Sequence, residues 1–442
     1  MNRSKSQKPM STISRDAEPA VTTAPRFRAI TNCRMTGSPE LVPVLDLGVQ
    51  YLTGVFPRDP TVELTRGPLE LVVCPNGGLL QLKHSYDSAE MYGSNYGYRS
   101  GLNQSMVGHL ATKAARLEKL AAVKEGDVVL DIGSNDGTLL KAYSDVGQRL
   151  GGIDPSAGKF RDFYPPRIAL ATEFFSPAAF ERLFGGTPAK LVTSVAMFYD
   201  LEDPLAFVEA VRDVLADDGI WHFEQSYMPS MLSANAYDTI CQEHLEYYGL
   251  SQIKWMTDRA GLEVIDVELN DVNGGSFAVT VAKRGSGRVA NAAPIEALLE
   301  RERAQQLDRP ETYAGFREAV FRHRDELRAV IHELRAAGKR VFGYGASTKG
   351  NVLLQFCGLT ADDLTCIADV NPDKHGCFTP GTNIPIVSEA EAHARRPDYF
   401  LVLPWHFRSN LIERERNFLH AGGRMIFPLP RIEIVGAEAV GR

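Results

Sequence analysis

The chain has 442 residues, enough for about three domains of ordinary size. Hydrophobic residues make up 44% and charged residues 23%, which excludes a disordered scaffold, a collagen-like fibre and a coiled coil. With 48 basic against 55 acidic side chains the net charge is −7, so no general basic footprint for nucleic acid exists.

Cysteines at 33, 74, 241, 357, 366 and 377 form no C-x-x-C pair, which fits a reduced setting better than a disulfide framework. No apolar run reaches the ~18 residues needed to span a bilayer. The first twenty residues lack the apolar core of a signal peptide. A soluble cytoplasmic protein is expected, with neither nucleic acid nor membrane as partner.

In chain order, residues 1–25 are rich in Ser, Pro, Thr and charge and read as a disordered tail. Residues 26–95 carry short β-like pieces (LVPVLDLG, LELVV, LLQL) and read as a small β-rich module. Over 96–290, a helix from about 105 to 122 precedes alternating strands and helices: VVLDIG, RLGGID, AKLVTSV, a helix around 205–215, then IWHFEQS. That succession predicts buried parallel strands with crossover helices, and FAVTVAKRG reads as the closing edge strand. Residues 291–338 predict a helical linker on the spacing of Phe316, Val320, Leu327, Val330 and Leu334. Residues 339–442 restart the pattern with KRVFGYGASTKGN, TCIADVNP, YFLVLPW and RMIFPLP. The expected class is α/β: a small β-rich module, a central Rossmann-like domain and a second Rossmann-like domain.

The densest chemistry is VVLDIGSNDGTLL, where a strand enters a glycine turn at Gly133, Ser134, Asn135, Asp136 and Gly137 and opens a helix. A helix start favours an anion, but Asp131 and Asp136 would repel a diphosphate. A ligand with a cationic centre and an amine matches better, and S-adenosylmethionine has both. Asp154, at the end of the next strand, stands where an acid holds ribose hydroxyls. GSNDG lacks the G-x-G-x-x-G spacing of a nicotinamide site. The loop resembles the first motif of class I S-adenosylmethionine-dependent methyltransferases, which implies Gly133 to Gly137 at the methionine moiety and Asp154 at the ribose. Phe174 and Phe175 either flank the adenine or pack in the core.

Further on, CQEHLEYYGL sets Glu243 beside His244, with Tyr247 close by. Such a segment is either a solvated face or an imidazole placed to remove a carbon-bound proton next to a ketone. The order GPLELVVCPNGGLLQL, YGSNYGYRSG, LDIGSNDGTLL, EHLEYYGL, NDVNGGSFAV, GYGASTKGN, ADVNPDKHGCFTPGTNIPI and LVLPWHF resembles, over nearly the whole chain, the sugar C-methyltransferases. These enzymes add a methyl branch to nucleotide-linked deoxysugars. The resemblance implies C-methylation at C-3 of a 4-keto sugar linked to dTDP or GDP, with His244 as base and Glu243 orienting it or shaping the pocket. It also implies a tyrosine from the N-terminal module in the sugar site, here Tyr96 or Tyr98, and a cleft loop at Asn273 and Gly274.

Three positions depart from the family pattern. The zinc module's two C-x-x-C pairs are reduced to Cys33 with Thr36 and Cys74 with Gly77, too few thiolates for a closed tetrahedral site. Loss of zinc binding is therefore expected, unless another ligand such as His84 contributes. A tyrosine two residues before the Glu-His pair is replaced by Cys241, leaving Tyr98, Tyr237 or Tyr247 to substitute. A histidine after AKLVTSV is replaced by Asp200.

In the last domain Gly345, Lys349 and Asn351 set glycine and a cation at a strand-to-helix turn, and Asp369 ends the next strand. With no aspartate inside the loop, a phosphate is tolerated there, so this domain is expected to hold the nucleotide end of the substrate or to close the cleft structurally. The alternatives are an O- or N-methyltransferase on a sugar or small metabolite, and a non-catalytic sugar-nucleotide binding protein. Monomer and homodimer both remain open.

Overall fold

The computed structural model describes residues 26–92 and 98–440; the expected tail and Tyr96 lie outside the described residues. Three large sheets organise the described residues, beside a two-stranded pairing of Phe27–Ala29 with His84–Tyr86. The N-terminal module is built on a four-stranded antiparallel sheet in the order Glu246–Tyr247, Leu79–Leu82, Arg66–Cys74, Val42–Tyr51. Its first strand comes from the middle of the chain, directly after Glu243 and His244, so this sheet pins the Glu-His segment between two domains.

The central sheet has seven strands in the order Leu262–Asn270, Ser276–Lys283, Leu215–Ser226, Ala189–Val195, Val128–Ile132, Arg149–Ile153, Ile168–Ala171. The last five are parallel, and Ser276–Lys283 runs antiparallel to both neighbours. VVLDI is buried at every position, as expected for a strand covered on both faces. The helix Gln104–Ala121 supplies part of that cover through Met106, Leu110, Ala114, Leu117 and Ala121, a 3.6-period stripe. Contrary to the sequence reading, FAVTV is internal to the sheet. The edge is LEVIDVELN, whose acidic residues on one face suit an exposed outer strand and mask its period.

The linker region holds two helices, Ala292–Gln305 and Ala314–Ala336. The first carries the buried Glu302, whose carboxylate accepts from Leu250 N (2.6 Å), Ser251 N (2.8 Å) and the Tyr227 hydroxyl (2.9 Å). A carboxylate on the first amides of the helix Leu250–Arg259 satisfies orphan donors and suits the positive end of the dipole.

The C-terminal sheet runs Ile386–Ser388, Ile367–Asp369, Val341–Tyr344, Tyr399–Val402, Arg424–Phe427, Glu433–Val435, parallel except for the last strand. One apolar core joins Leu71 of the N-terminal module, Tyr237 of the central domain and Leu353 of the C-terminal domain. Polar ties fix the same junction. Gln242 donates to the Gln50 and Tyr51 carbonyls at 3.3 and 3.2 Å. Asn351 donates to the Thr53 carbonyl (2.7 Å), and the Trp405 indole donates to Asp238 (2.8 Å). Among the described residues no helix is long and apolar enough to cross a membrane.

Candidate active site

A cavity of about 480 Å³ lies where the three domains meet. At one end the glycine turn after Val128–Ile132 exposes Gly133, Ser134 and Asn135. Gly133 has φ +73°, and a Cβ there would come within 2.9 Å of Met197 Cγ, so the turn requires glycine. Asp154 Oδ2 accepts from Asn135 N (2.8 Å) and its Oδ1 from Ser156 N (2.6 Å), which locks the acid at the tip of its strand beside the turn.

The C-terminal domain repeats this arrangement. Asp369 Oδ2 accepts from Ala346 N in its own glycine turn, and Oδ1 accepts from Asn371 N, both at 2.7 Å. Each Rossmann-like half therefore aims a strand-end acid at the same cavity.

Asp131 lines the cavity floor and accepts from Thr193 Oγ1 at 2.7 Å. Burial pushes its carboxyl up to about 7, Asp154 adds to the rise, and the threonine bond works against it. A cation entering here would favour the charged form. Phe174 is exposed at the rim while Phe175 packs on Phe207, and both line the cavity.

At the far end lie Glu243 and His244. His244 Nδ1 is 2.7 Å from the Thr239 carbonyl oxygen, and its ring meets Tyr199 edge-on at 4.4 Å between centroids. A carbonyl can only accept, so Nδ1 carries the proton and Nε2 keeps a lone pair. Burial, then the charge of Lys349, push the imidazole down to about 3, with the Thr239 bond opposing. His244 is neutral at working pH. The bond that orients it comes from Thr239, not from Glu243. Glu243 is pushed by burial up to about 7, and its side chain lies over Gly54 of the N-terminal module.

Tyr98 lines the cavity, with its carbonyl held by Asn135 Nδ2 at 3.2 Å. Asn273 and Lys349 face it from opposite domains, joined by the lysine's bond to the Asn273 carbonyl at 3.0 Å.

Six expected site residues sit elsewhere. Asp136 caps the helix Thr138–Ala142 and accepts from Gly101 N (3.1 Å), while Gly137 turns into that helix at φ +71°. Gly274 packs on Trp405, and Gly345 turns against Pro404 at φ +81°. Asn351 is 1% exposed and serves the contact with Thr53. Tyr247 lies behind His244, its hydroxyl 3.5 Å from the Thr239 carbonyl. Sequence reasoning also missed Gly54, Thr239 and Gln225, because nothing in local spacing marks residues that matter through contacts across domains.

The strand order, the glycine turn and the paired acids define a class I S-adenosylmethionine-dependent methyltransferase. Three family profiles match in series: "Putative zinc binding domain" over 33–92, "Methyltransferase domain" over 106–267 and "C-methyltransferase C-terminal domain" over 271–430. The C-methyltransferase NovU of Streptomyces niveus is 32% identical over 417 residues, covering 93% of this chain and 98% of that protein. The chain belongs to this C-methyltransferase family. Among solved structures, the Burkholderia thailandensis 1,6-didemethyltoxoflavin-N1-methyltransferase is 12% identical over 40% of this chain and 78% of its own, at a TM-score of 0.32. The CcbJ methyltransferase of Streptomyces caelestis is 13% identical over 40% and 90%, also at 0.32.

The residues of the N-terminal module do not fit zinc. Cys33 and Cys74 are buried free thiols, and the Cys74 thiol touches Thr36 Oγ1 at 3.5 Å. A Cβ on Gly77 would meet Met35 Cε at 2.8 Å and Thr36 Cγ2 at 2.9 Å, so methyl groups occupy the place of a fourth ligand. Among the described residues no group of three or more metal-ligating side chains is assembled. Arg34 ties the loop instead, donating to the Leu82 carbonyl (2.6 Å) and Ser85 Oγ (2.9 Å) beside Glu246.

Proposed function

We propose that the chain methylates C-3 of a nucleotide-linked 4-keto deoxysugar through an enolate. The observation that carries this reading is the Nδ1 bond from His244 to Thr239, which leaves Nε2 unprotonated on a ring that lines the same cavity as the glycine turn. Bound S-adenosylmethionine would supply an electrophilic methyl group on a sulfonium. Asp154 would hold its ribose, Gly133 to Asn135 its methionine end, Phe174 its adenine, and Asp131 the cationic charge.

The chain's own residues account for the acceptor's chemistry. His244 Nε2 takes the proton from the carbon beside the ketone, and the pair of electrons passes to the carbonyl oxygen as an enolate. A neutral base of lowered basicity needs help, and a carboxylate at Glu243 offers charge to the imidazolium that forms. At the C-terminal end, Asp369 and the half-buried cations Lys349 and Lys374 suit a ribose and a diphosphate, in keeping with a dTDP- or GDP-linked sugar. A cavity of this size suits ligands brought together from both ends. The relative named as a C-methyltransferase supports carbon as the acceptor atom. His244→Ala tests the reading: S-adenosylhomocysteine should bind within about twofold of wild type while turnover falls about 10³-fold. Wild-type turnover in that variant would place the base elsewhere.

A further inference from the structure

Two side chains toward the acceptor end of the cavity carry buried polar atoms without a hydrogen-bond partner. Gln225 lines the cavity and is 2% exposed, yet neither atom of its carboxamide is paired. Asp200 lines the same cavity, and its Oδ1 is shielded from water and unpaired. A buried polar atom left without a partner carries an unrecovered desolvation penalty, so a ligand that pairs with it recovers that cost.

Sheet order says which ligand. Crossing from the strand that ends at Asp154, through Val128–Ile132 and Ala189–Val195, to Leu215–Ser226 leads away from the ribose acid. Asp200 follows the third of these strands and Gln225 lies near the tip of the fourth, on the His244 side of the cavity. These groups therefore face the methyl acceptor.

The surroundings decide what Asp200 can do there. Glu243 faces it from the loop ahead of Glu246–Tyr247, Glu246 from that strand, Tyr92 from the N-terminal module and Tyr199 from its own turn. The nearby cations serve other groups: Lys349 acts on His244, and Arg34 lies 3.6 Å from Glu246. Burial, then the charge of Glu243, push the Asp200 carboxyl well above the carboxylate range, against a bond from the Tyr92 hydroxyl. A carboxyl in this setting keeps its proton and offers an O–H.

We infer that Asp200 donates a hydrogen bond to the carbonyl oxygen of the methyl acceptor, with the Gln225 amide as a second donor from the neighbouring strand tip. The inference rests on the C-methylation reading above. During proton removal the carbon–hydrogen bond breaks, a nitrogen–hydrogen bond forms at His244 Nε2, and the electron pair moves to the acceptor oxygen. The Asp200 O–H bond stays whole; only its hydrogen bond strengthens as charge develops. Preorganised donors of this kind are worth about 10²–10³ in rate.

The test compares wild type, Asp200→Ala and Asp200→Asn for solvent deuterium uptake and methyl gain on a dTDP-linked 4-keto-6-deoxysugar, with S-adenosylhomocysteine binding measured on each. Asp200→Ala should lose about 10²–10³-fold in both rates with homocysteine-cofactor affinity within about twofold. Asp200→Asn keeps a donor but cannot ionise, so it should retain turnover within about tenfold and lose the alkaline fall of the wild-type pH profile. An Asn variant as inactive as Ala would show that a carboxylate is required and overturn the donor role. An Ala variant with wild-type rates would show that Asp200 touches nothing. A wild type that binds S-adenosylhomocysteine but neither exchanges nor methylates keto sugars would overturn the C-methylation reading, and this inference with it.

Discussion

The Thr239 carbonyl oxygen lies 2.7 Å from Nδ1 of His244, and this one contact decides which ring nitrogen carries the proton. Thr239 is held in turn by its place between the helix Met228–Ser233 and the strand Glu246–Tyr247, with Tyr247 behind it. The proposed base is thus oriented by backbone, and the acid next to it in sequence is left free to titrate.

That arrangement assigns the acid limb of the pH profile. His244, pushed down to about 3, stays neutral across the working range and contributes no limb there. Glu243, pushed up to about 7 by burial, loses its charge as pH falls through neutrality. At saturating S-adenosylmethionine, which removes Asp131 from the profile, kcat/KM for the acceptor should fall below about pH 7. Glu243→Gln should flatten that limb and lower the plateau about 10-fold or more. A Gln variant that keeps the limb would assign it to another group.

Gly54 is the second determinant of Glu243. A Cβ at this position would stand 2.1 Å from Glu243 Oε1 and 3.3 Å from Cδ. The obstructed atom is the end of a flexible side chain, so Gly54→Ala should fold and displace the carboxyl. The expected outcome is a Tm within a few degrees of wild type and acceptor turnover down about tenfold. Unchanged turnover and an unchanged pH profile would show that the position of Glu243 is immaterial.

The N-terminal module should be indifferent to chelators. Two thiols, a threonine and a glycine cannot close a tetrahedral zinc site, and Arg34 already ties the loop. Prolonged treatment with a strong chelator should shift Tm by less than about 1 °C, and the purified protein should carry well under one equivalent of zinc by elemental analysis. One tightly held equivalent, with Tm falling on its removal, would contradict this.

The glycine-turn end of the cavity, where the cofactor is proposed, was legible because it is written locally. A strand, a glycine turn and an acid at the next strand end are set by spacing alone, and Asp131, Gly133, Ser134, Asn135 and Asp154 all reach the cavity. The acceptor half is built from distant segments. Gly54 and Glu243 meet across nearly two hundred positions, and Asn351 donates its Nδ2 to the Thr53 carbonyl of the N-terminal module. The glycine motif of the last domain announced a turn, yet Gly345 serves that turn by fitting against Pro404. FAVTV was misplaced to the edge because a short, largely apolar run does not show which place in a sheet it takes, and here it is buried throughout.

The most direct measurement offers a panel of dTDP- and GDP-linked 4-keto-6-deoxysugars to the enzyme with S-adenosylmethionine in heavy water, followed by mass spectrometry. Solvent deuterium entering at C-3 of one sugar, together with methyl gain at that carbon, is the predicted result. Methyl gain on oxygen or nitrogen of a sugar without a ketone, with no exchange at carbon, would contradict the account.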